Sequence, residues 1–185
     1  FLTSDNNDNN IPGFAEIVNQ LQGLVYNTVL GIVQNETDAE DVTQEVFIQI
    51  HESLAGYKGE AKLSTWAYRI AINKALDFEK RKKAQRRGGL FKRVFNTAEA
   101  EEPVSFYHPG VALEQKEEAA VLFNAIDKLP EKQKIVFLLH KAEAMPYMEI
   151  AEVLETSVLA VESLMARAKQ NLKTYLQNYY QKNNE

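Results

Sequence analysis

Apolar positions, with Thr28 among them, recur at three- and four-residue intervals through Phe14, Ile17, Leu21, Leu24, Thr28 and Ile32, and again through Val42, Val46, Ile50 and Leu54. That spacing puts one side of each of two helices toward a core. Few segments alternate as strands do. The second helix is expected to start at a capping box, with the Thr37 hydroxyl and the Glu40 carboxylate satisfying orphan amides, and to end at Gly56 and Gly59. A third is expected after Ser64 as its cap, carrying Trp66, Ile70, Ala71 and Phe78 into a basic run.

From about Arg86 to Ala112 the pattern collapses into Gly88, Gly89, an acidic cluster at Glu99 to Glu102, Pro103, Pro109 and Gly110. A loop of that length does not belong inside a compact domain, so it predicts a flexible linker over 87–112 between domains at 12–86 and 113–179. Helical periodicity returns at Leu113 and runs through Val121, Leu122, Ala125, Ile126 and Leu129. Beyond Pro130 it continues at Ile135, Val136, Leu138 and Leu139, up to punctuation at Met145 and Pro146. The stretch from Pro146 to Tyr175 has the form of a helix-turn-helix, with Ile150, Ala151 and Leu154 on the inner face of a short first helix and a turn at Glu155 and Thr156. Ser157 would cap the second helix, which buries Val161, Met165, Ala168, Leu172 and Leu176. Its outward face then carries Leu159, Ala160, Glu162, Ser163, Leu164, Arg167 and Lys169, the side that such motifs lay in the major groove. The fold class is therefore all-α, two small helical domains and a joint.

Composition narrows the function. With 45% hydrophobic and 25% charged residues the chain is expected to fold, and no stretch approaches the roughly 20 apolar residues of a membrane span. No direct membrane insertion and a cytoplasmic location are expected. There are no cysteines, hence no disulfide and no thiolate metal site. A net charge of −5 argues against strong autonomous binding to nucleic acid. Its distribution changes that picture, because Lys74 to Arg93 holds nine basic residues against two acidic ones. From Leu113 onward the balance is nine basic to eleven acidic, so any DNA contact there must be delicate.

The run from Thr37 through Asp38, Ala39, Glu40, Asp41, Val42, Thr43, Gln44, Glu45 and Val46 to Phe47 is followed by Leu63-Ser-Thr-Trp-Ala-Tyr-Arg-Ile-Ala-Ile-Asn73 and then Asp77. Together these resemble region two of an extracytoplasmic-function sigma factor. Leu129 to Val136, Tyr147 to Leu154 and Ser157 to Lys169 independently resemble region four of the same family, and both regions in order span nearly the whole stretch from Phe14 to Leu176. The resemblance implies an alternative sigma factor, not an enzyme and without a cofactor. Its implied partners are core RNA polymerase at the beta-prime clamp and the beta flap, promoter DNA, and an anti-sigma factor.

The resemblance also implies sites. Asp38, Asp41, Gln44, Glu45 and Ile48 would dock on a helical coiled coil of the clamp, and an acidic stripe of Asp38, Asp41 and Glu45 suits a basic partner. The competing reading is a solvated helix face. The loop from Gly56 to Leu63, with Tyr57, Lys58 and Lys62, would capture a flipped base of the minus-ten element. Trp66, Arg69, Asn73, Lys74 and Arg81 would follow the opened strand, with Lys82 also within helical reach of phosphates. The competing reading of Trp66 is core, which a lone Trp at helical spacing usually is.

The minus-thirty-five face is Ser157, Leu159, Ala160, Glu162, Ser163, Leu164, Arg167 and Lys169, where Glu162 and Leu164 replace two basic residues common in the family. That loss lowers the expected salt slope by roughly 1.8 and opens contacts of Leu159, Ala160 or Leu164 with thymine methyls and of Glu162 with cytosine. Leu164 could instead pack on a neighbouring helix.

Two other functions compete. A stand-alone helix-turn-helix regulator accounts for Pro146 to Lys169 but leaves Thr37 to Asn73 unexplained. A metal-dependent nuclease using Asp38, Asp41 and Glu45 lacks a phosphate-binding Gly-rich loop, and His51, His108 and His140 are scattered.

Overall fold

The computed structural model describes residues 12–93 and 116–183. Seven α-helices are seen there: α1 (Phe14–Val33), α2 (Glu36–Ser53), α3 (Leu63–Arg93), α4 (Lys116–Asp127), α5 (Glu131–Lys141), α6 (Tyr147–Val153) and α7 (Val158–Asn183), with a 3-10 turn at Leu54–Gly56. No strand is present among the described residues.

The first module is α1, α2 and α3 packed on one another. Its centre is Ile17, Val25, Val29, Val42, Val46, Ile50, Ala67, Ala71 and Ala75, all fully buried. Alanines on α3 face valines and isoleucines from α1 and α2, so small side chains admit large ones at native density. In the second module α7 packs on α4, α5 and α6. Val161, Met165, Ala168 and Leu172 of α7 are buried at the expected stripe, against Val136, Leu139 and Ile150.

Helix ends correct three expectations. The start of α2 is capped by Asn35, whose side chain accepts from the Asp38 amide at 2.9 Å, so Thr37 is an exposed residue of the first turn. Both residues are good caps, but α1 ends one residue earlier, where Gln34 turns left-handed at φ 54° and leaves Asn35 extended. At α3, Ser64 already lies inside the helix, and the Trp66 amide bonds to the Lys62 carbonyl. At its far end α3 continues through Gly88 and Gly89 to Arg93, seven residues beyond where the pattern fails, while the rest of the expected linker, from 94, lies outside the described residues. Leu122, expected inward, is exposed on α4.

The two modules are packed together, their apolar cores running into one cluster. α5 lies against α1 and α6 against α3. Gly31 on α1 brings the Leu138 side chain so close that a β-carbon there would stand 3.5 Å from it. The buried Lys134 ammonium donates to the Ile32 carbonyl at 2.8 Å and to Asp127 at 2.7 Å, and the Gln34 amide donates to the Phe123 carbonyl at 3.4 Å. Tyr68 on α3 donates to Glu143 after α5 at 3.4 Å.

Candidate nucleic-acid interface

The expected polymerase face divides in two. Val42, Val46 and Ile50 fix the rotation of α2 by filling the core, which turns Asp41, Gln44 and Ile48 outward, the last 58% exposed. Asp38 and Glu45 lie at the edge facing α3 instead. There Asp38 pairs with Lys82, and Glu45 lies 3.4 Å from Arg81 and 4.0 Å from Lys74. The single acidic stripe expected from spacing is thus a neutralised edge beside a free face of one acid, one amide and one exposed isoleucine. The outward three recur at intervals of three and four, a continuous strip on a helix.

The loop after α2 is closed from within. The Tyr57 hydroxyl donates to the Ala61 carbonyl at 2.6 Å, and its ring lies 5.0 Å from that of Trp66, tilted by 35°. Gly59 takes φ 72°, a conformation glycine adopts without strain. Lys58 and Lys62 remain exposed, while Trp66 is half-buried against the core and so shares both roles weighed for it.

Beyond the loop, Lys62, Arg69 and Asn73 face the second module. Arg69 donates through one terminal nitrogen to the Glu152 carbonyl at 2.7 Å and pairs through the other with Glu155 at 3.0 Å. Its Nε is buried without a partner. Lys62 lies 3.4 Å from Glu149, and Asn73 is exposed at a crevice shared with Val153 and Glu155. Glu149 and Glu152 entered no site expectation, and Glu155 was expected only as a turn residue. Their spacing of three on one helical edge was the signal available, but periodicity does not say that the edge meets another module.

The helix-turn-helix forms as expected. Glu155 adopts φ 50°, the Thr156 amide reaches back to the Ala151 carbonyl at 2.9 Å, and the Ser157 hydroxyl accepts from the Ala160 amide at 3.2 Å. Leu159 is 75% exposed, and Glu162, Ser163, Arg167 and Lys169 are exposed with it, Ala160 partly so. Leu164 is half-buried on the core, which favours the packing role for it.

No group of three or more potential ligands among the described residues could hold a metal ion. Asp38 and Glu45, which the nuclease reading needs beside Asp41, face cations. His51 stacks edge-on with Phe14 and His140 bonds to the Met145 carbonyl, while His108 lies outside the described residues.

A three-helix body with a closed glycine loop, joined to a capped helix-turn-helix, defines a two-module helical protein. Family models described as Sigma-70 region 2 and Sigma-70, region 4 match residues 17–87 and 119–172. The chain is 31% identical over 169 residues to the ECF RNA polymerase sigma factor SigE of Mycolicibacterium smegmatis, covering 90% of this chain and 62% of that protein. It is 29% identical to the ECF RNA polymerase sigma-E factor of Haemophilus influenzae, over 89% of this chain and 90% of that one. SigW of Bacillus subtilis gives 29%, with 89% of each covered.

Among solved structures the fold matches the sigma factor RpoE of Bartonella quintana in complex with the anti-sigma factor NepR. There the TM-score is 0.64 and the identity 17%, over 89% of this chain and 96% of that one. CnrH in complex with the cytosolic domain of CnrY gives 0.63 and 22%, over 89% and 88%. The chain belongs to the extracytoplasmic-function sigma factors of the sigma-70 family.

Proposed function

We propose that this protein delivers core RNA polymerase to a set of promoters, acting by binding alone while the polymerase supplies the chemistry, and that it works in the cytoplasm where that enzyme is. The observation that carries this reading is the free strip Asp41, Gln44 and Ile48 on the same body as a capped, outward-facing reading helix. An exposed isoleucine beside acid and amide groups fits a basic helical partner with an apolar seam, and the beta-prime clamp is the partner assigned to it. The second module is assigned to the beta flap.

Promoter contacts follow the same division. Tyr57, Lys58, Lys62, Trp66, Arg69, Asn73, Lys74 and Arg81 are assigned to the opened minus-ten strand, with Trp66 and Tyr57 supplying ring faces and the cations supplying phosphate contacts. Ser157, Leu159, Ala160, Glu162, Ser163, Arg167 and Lys169 are assigned to the minus-thirty-five duplex. Only Arg167 and Lys169 among these carry positive charge, so the second reader alone is weak, and polymerase joins two weak readers by fixing their spacing. An anti-sigma factor is the further partner we infer, since the RpoE and CnrH relatives were solved with NepR and with the cytosolic domain of CnrY.

Run-off transcription tests the reading. Purified chain mixed with core polymerase should start discrete transcripts from a genomic template library, and the chain alone should bind duplex promoter poorly at physiological salt. Tight operator binding without polymerase, and no transcripts with it, would replace the proposal by a stand-alone regulator.

A further inference from the structure

We propose that the acidic edge of α6 stands in for promoter phosphates. Glu149, the Glu152 carbonyl and Glu155 occupy two cations of the minus-ten surface, Lys62 and Arg69, and cover them while the chain is free of polymerase. The proposal rests on the assignment of Lys62 and Arg69 to the opened strand made above.

The geometry is that of a substitute ligand. Glu149, Glu152 and Glu155 recur at intervals of three along α6 and its turn, one edge of the helix. The Arg69 guanidinium splits between two oxygens, at 2.7 Å to the Glu152 carbonyl and 3.0 Å to the Glu155 carboxylate, the fork by which arginine grips phosphate. The Glu152 carbonyl belongs to the last turn of α6, where it accepts from the Glu155 amide at 3.3 Å and uses its second lone pair for Arg69. Lys62, on the loop preceding α3, lies 3.4 Å from Glu149, so both cations at this end of the surface face oxygen from the other module. Between them an open cleft of about 780 Å³ separates the Glu60–Lys62 segment from Met148 and Val158, so contact is made by the charged groups across a gap and not by close apolar packing.

The arrangement cannot survive on a promoter. Elements named for positions minus ten and minus thirty-five are about 25 base pairs apart, or roughly 85 Å at 3.4 Å per step. Side chains in contact across the two modules cannot remain so while both elements are read. Every contact in the cleft that closes the free chain must therefore be exchanged for DNA or water. Exposed ion pairs suit that exchange because they are weak and yield to competing phosphate.

The test is the salt dependence of binding by the full chain, without polymerase, to a short single-stranded DNA of mixed sequence. Glu149→Gln with Glu155→Gln keeps shape and removes two charges at positions outside the assigned DNA contacts. Thermal melting verifies that the variant folds. With the two carboxylates gone, Lys62 is free and Arg69 keeps only the neutral Glu152 carbonyl, so the slope of log K against log salt should steepen by up to about 1.4, at roughly 0.7 per cation for single strands. Adding Lys62→Gln and Arg69→Gln should return the slope to that of the parent.

A slope unchanged in the double variant overturns the proposal, as does a steepening that persists once Lys62 and Arg69 are replaced. Run-off transcription by the parent chain with core polymerase is measured in parallel and judges the underlying reading separately. An unchanged slope in a chain that transcribes sinks only the masking, whereas a chain that never transcribes sinks the sigma assignment.

Discussion

The Lys134 ammonium lies 2.8 Å from the carbonyl oxygen of Ile32, joining the buried side of α5 to the last turn of α1. Lys134 is almost fully buried, while its second acceptor, Asp127, has half its side chain in water. The carbonyl is therefore the partner that matters, being a helix-end oxygen with no water to replace the lysine. Lys134→Met should cost about 1–3 kcal/mol in urea unfolding, the penalty for a buried acceptor left alone. Asp127→Asn should cost under about 1 kcal/mol, as exposed pairs do. Equal losses from the two changes would show that the charge pair, not the carbonyl, holds the joint.

Gly31 offers a test of how closely the modules fit. A β-carbon there meets Leu138 at ordinary contact distance, and alanine is better than glycine in a helix by about 0.8–1 kcal/mol. Gly31→Ala should therefore leave stability equal or slightly higher. Gly31→Leu has no room and should push α5 off α1, seen as a larger radius of gyration in solution scattering. A leucine variant as compact as the parent would mean that the two modules do not meet at this point in solution.

Asp38 and Asp41 stand one helical turn apart and should fail in different ways. Asp38 pairs with Lys82, both being partly buried, so Asp38→Asn should lower stability by about 1 kcal/mol and leave polymerase capture largely intact. Asp41 is exposed, so Asp41→Lys should leave the melting temperature within error and abolish co-purification with core enzyme. The opposite pattern would move the docking surface to the α2–α3 edge.

Stability should fall with rising pH in two windows. Burial raises the Glu143 carboxyl above its ordinary 4.5, although the Tyr68 hydrogen bond opposes the rise. Burial first, then the Glu143 and Glu149 charges, raise the Tyr68 hydroxyl above 10.0. In each case the folded chain holds its proton to higher pH than the unfolded chain. The stabilisation is complete below the unfolded value and declines as pH climbs through the folded one. Glu143→Gln should remove the decline that begins above pH 4.5, and Tyr68→Phe the one above pH 10.0, in denaturant titrations across pH. A profile unchanged by Glu143→Gln would mean that its carboxyl titrates alike in both states.

Periodicity carried most of the helices, because a buried stripe leaves its mark at every third or fourth residue. Val161, Met165, Ala168 and Leu172 lie where spacing put them, and Ser157 caps as its chemistry suggested. Helix ends were less legible, since Asn35 and Thr37 both make good caps and only the left-handed Gln34 decides between them. Spacing along α2 also grouped Asp38 with Asp41, although the cations that draw Asp38 and Glu45 aside sit on α3, Lys82 being 44 residues from Asp38 and Arg81 36 residues from Glu45 in sequence. The packing of one module on the other left no local trace. Lys134 reads as a solvated charge in any window of sequence and is in fact among the least exposed polar residues of the described chain.

The ring contact between Tyr57 and Trp66 makes the molecule its own fluorescence gauge. Trp66 is the sole indole in the chain and leans on the loop assigned to capture a base, so its emission responds to that loop without any attached dye. A base that displaces Tyr57 would quench or shift a single, unambiguous signal, and strand opening could be timed in stopped flow on the unlabelled protein.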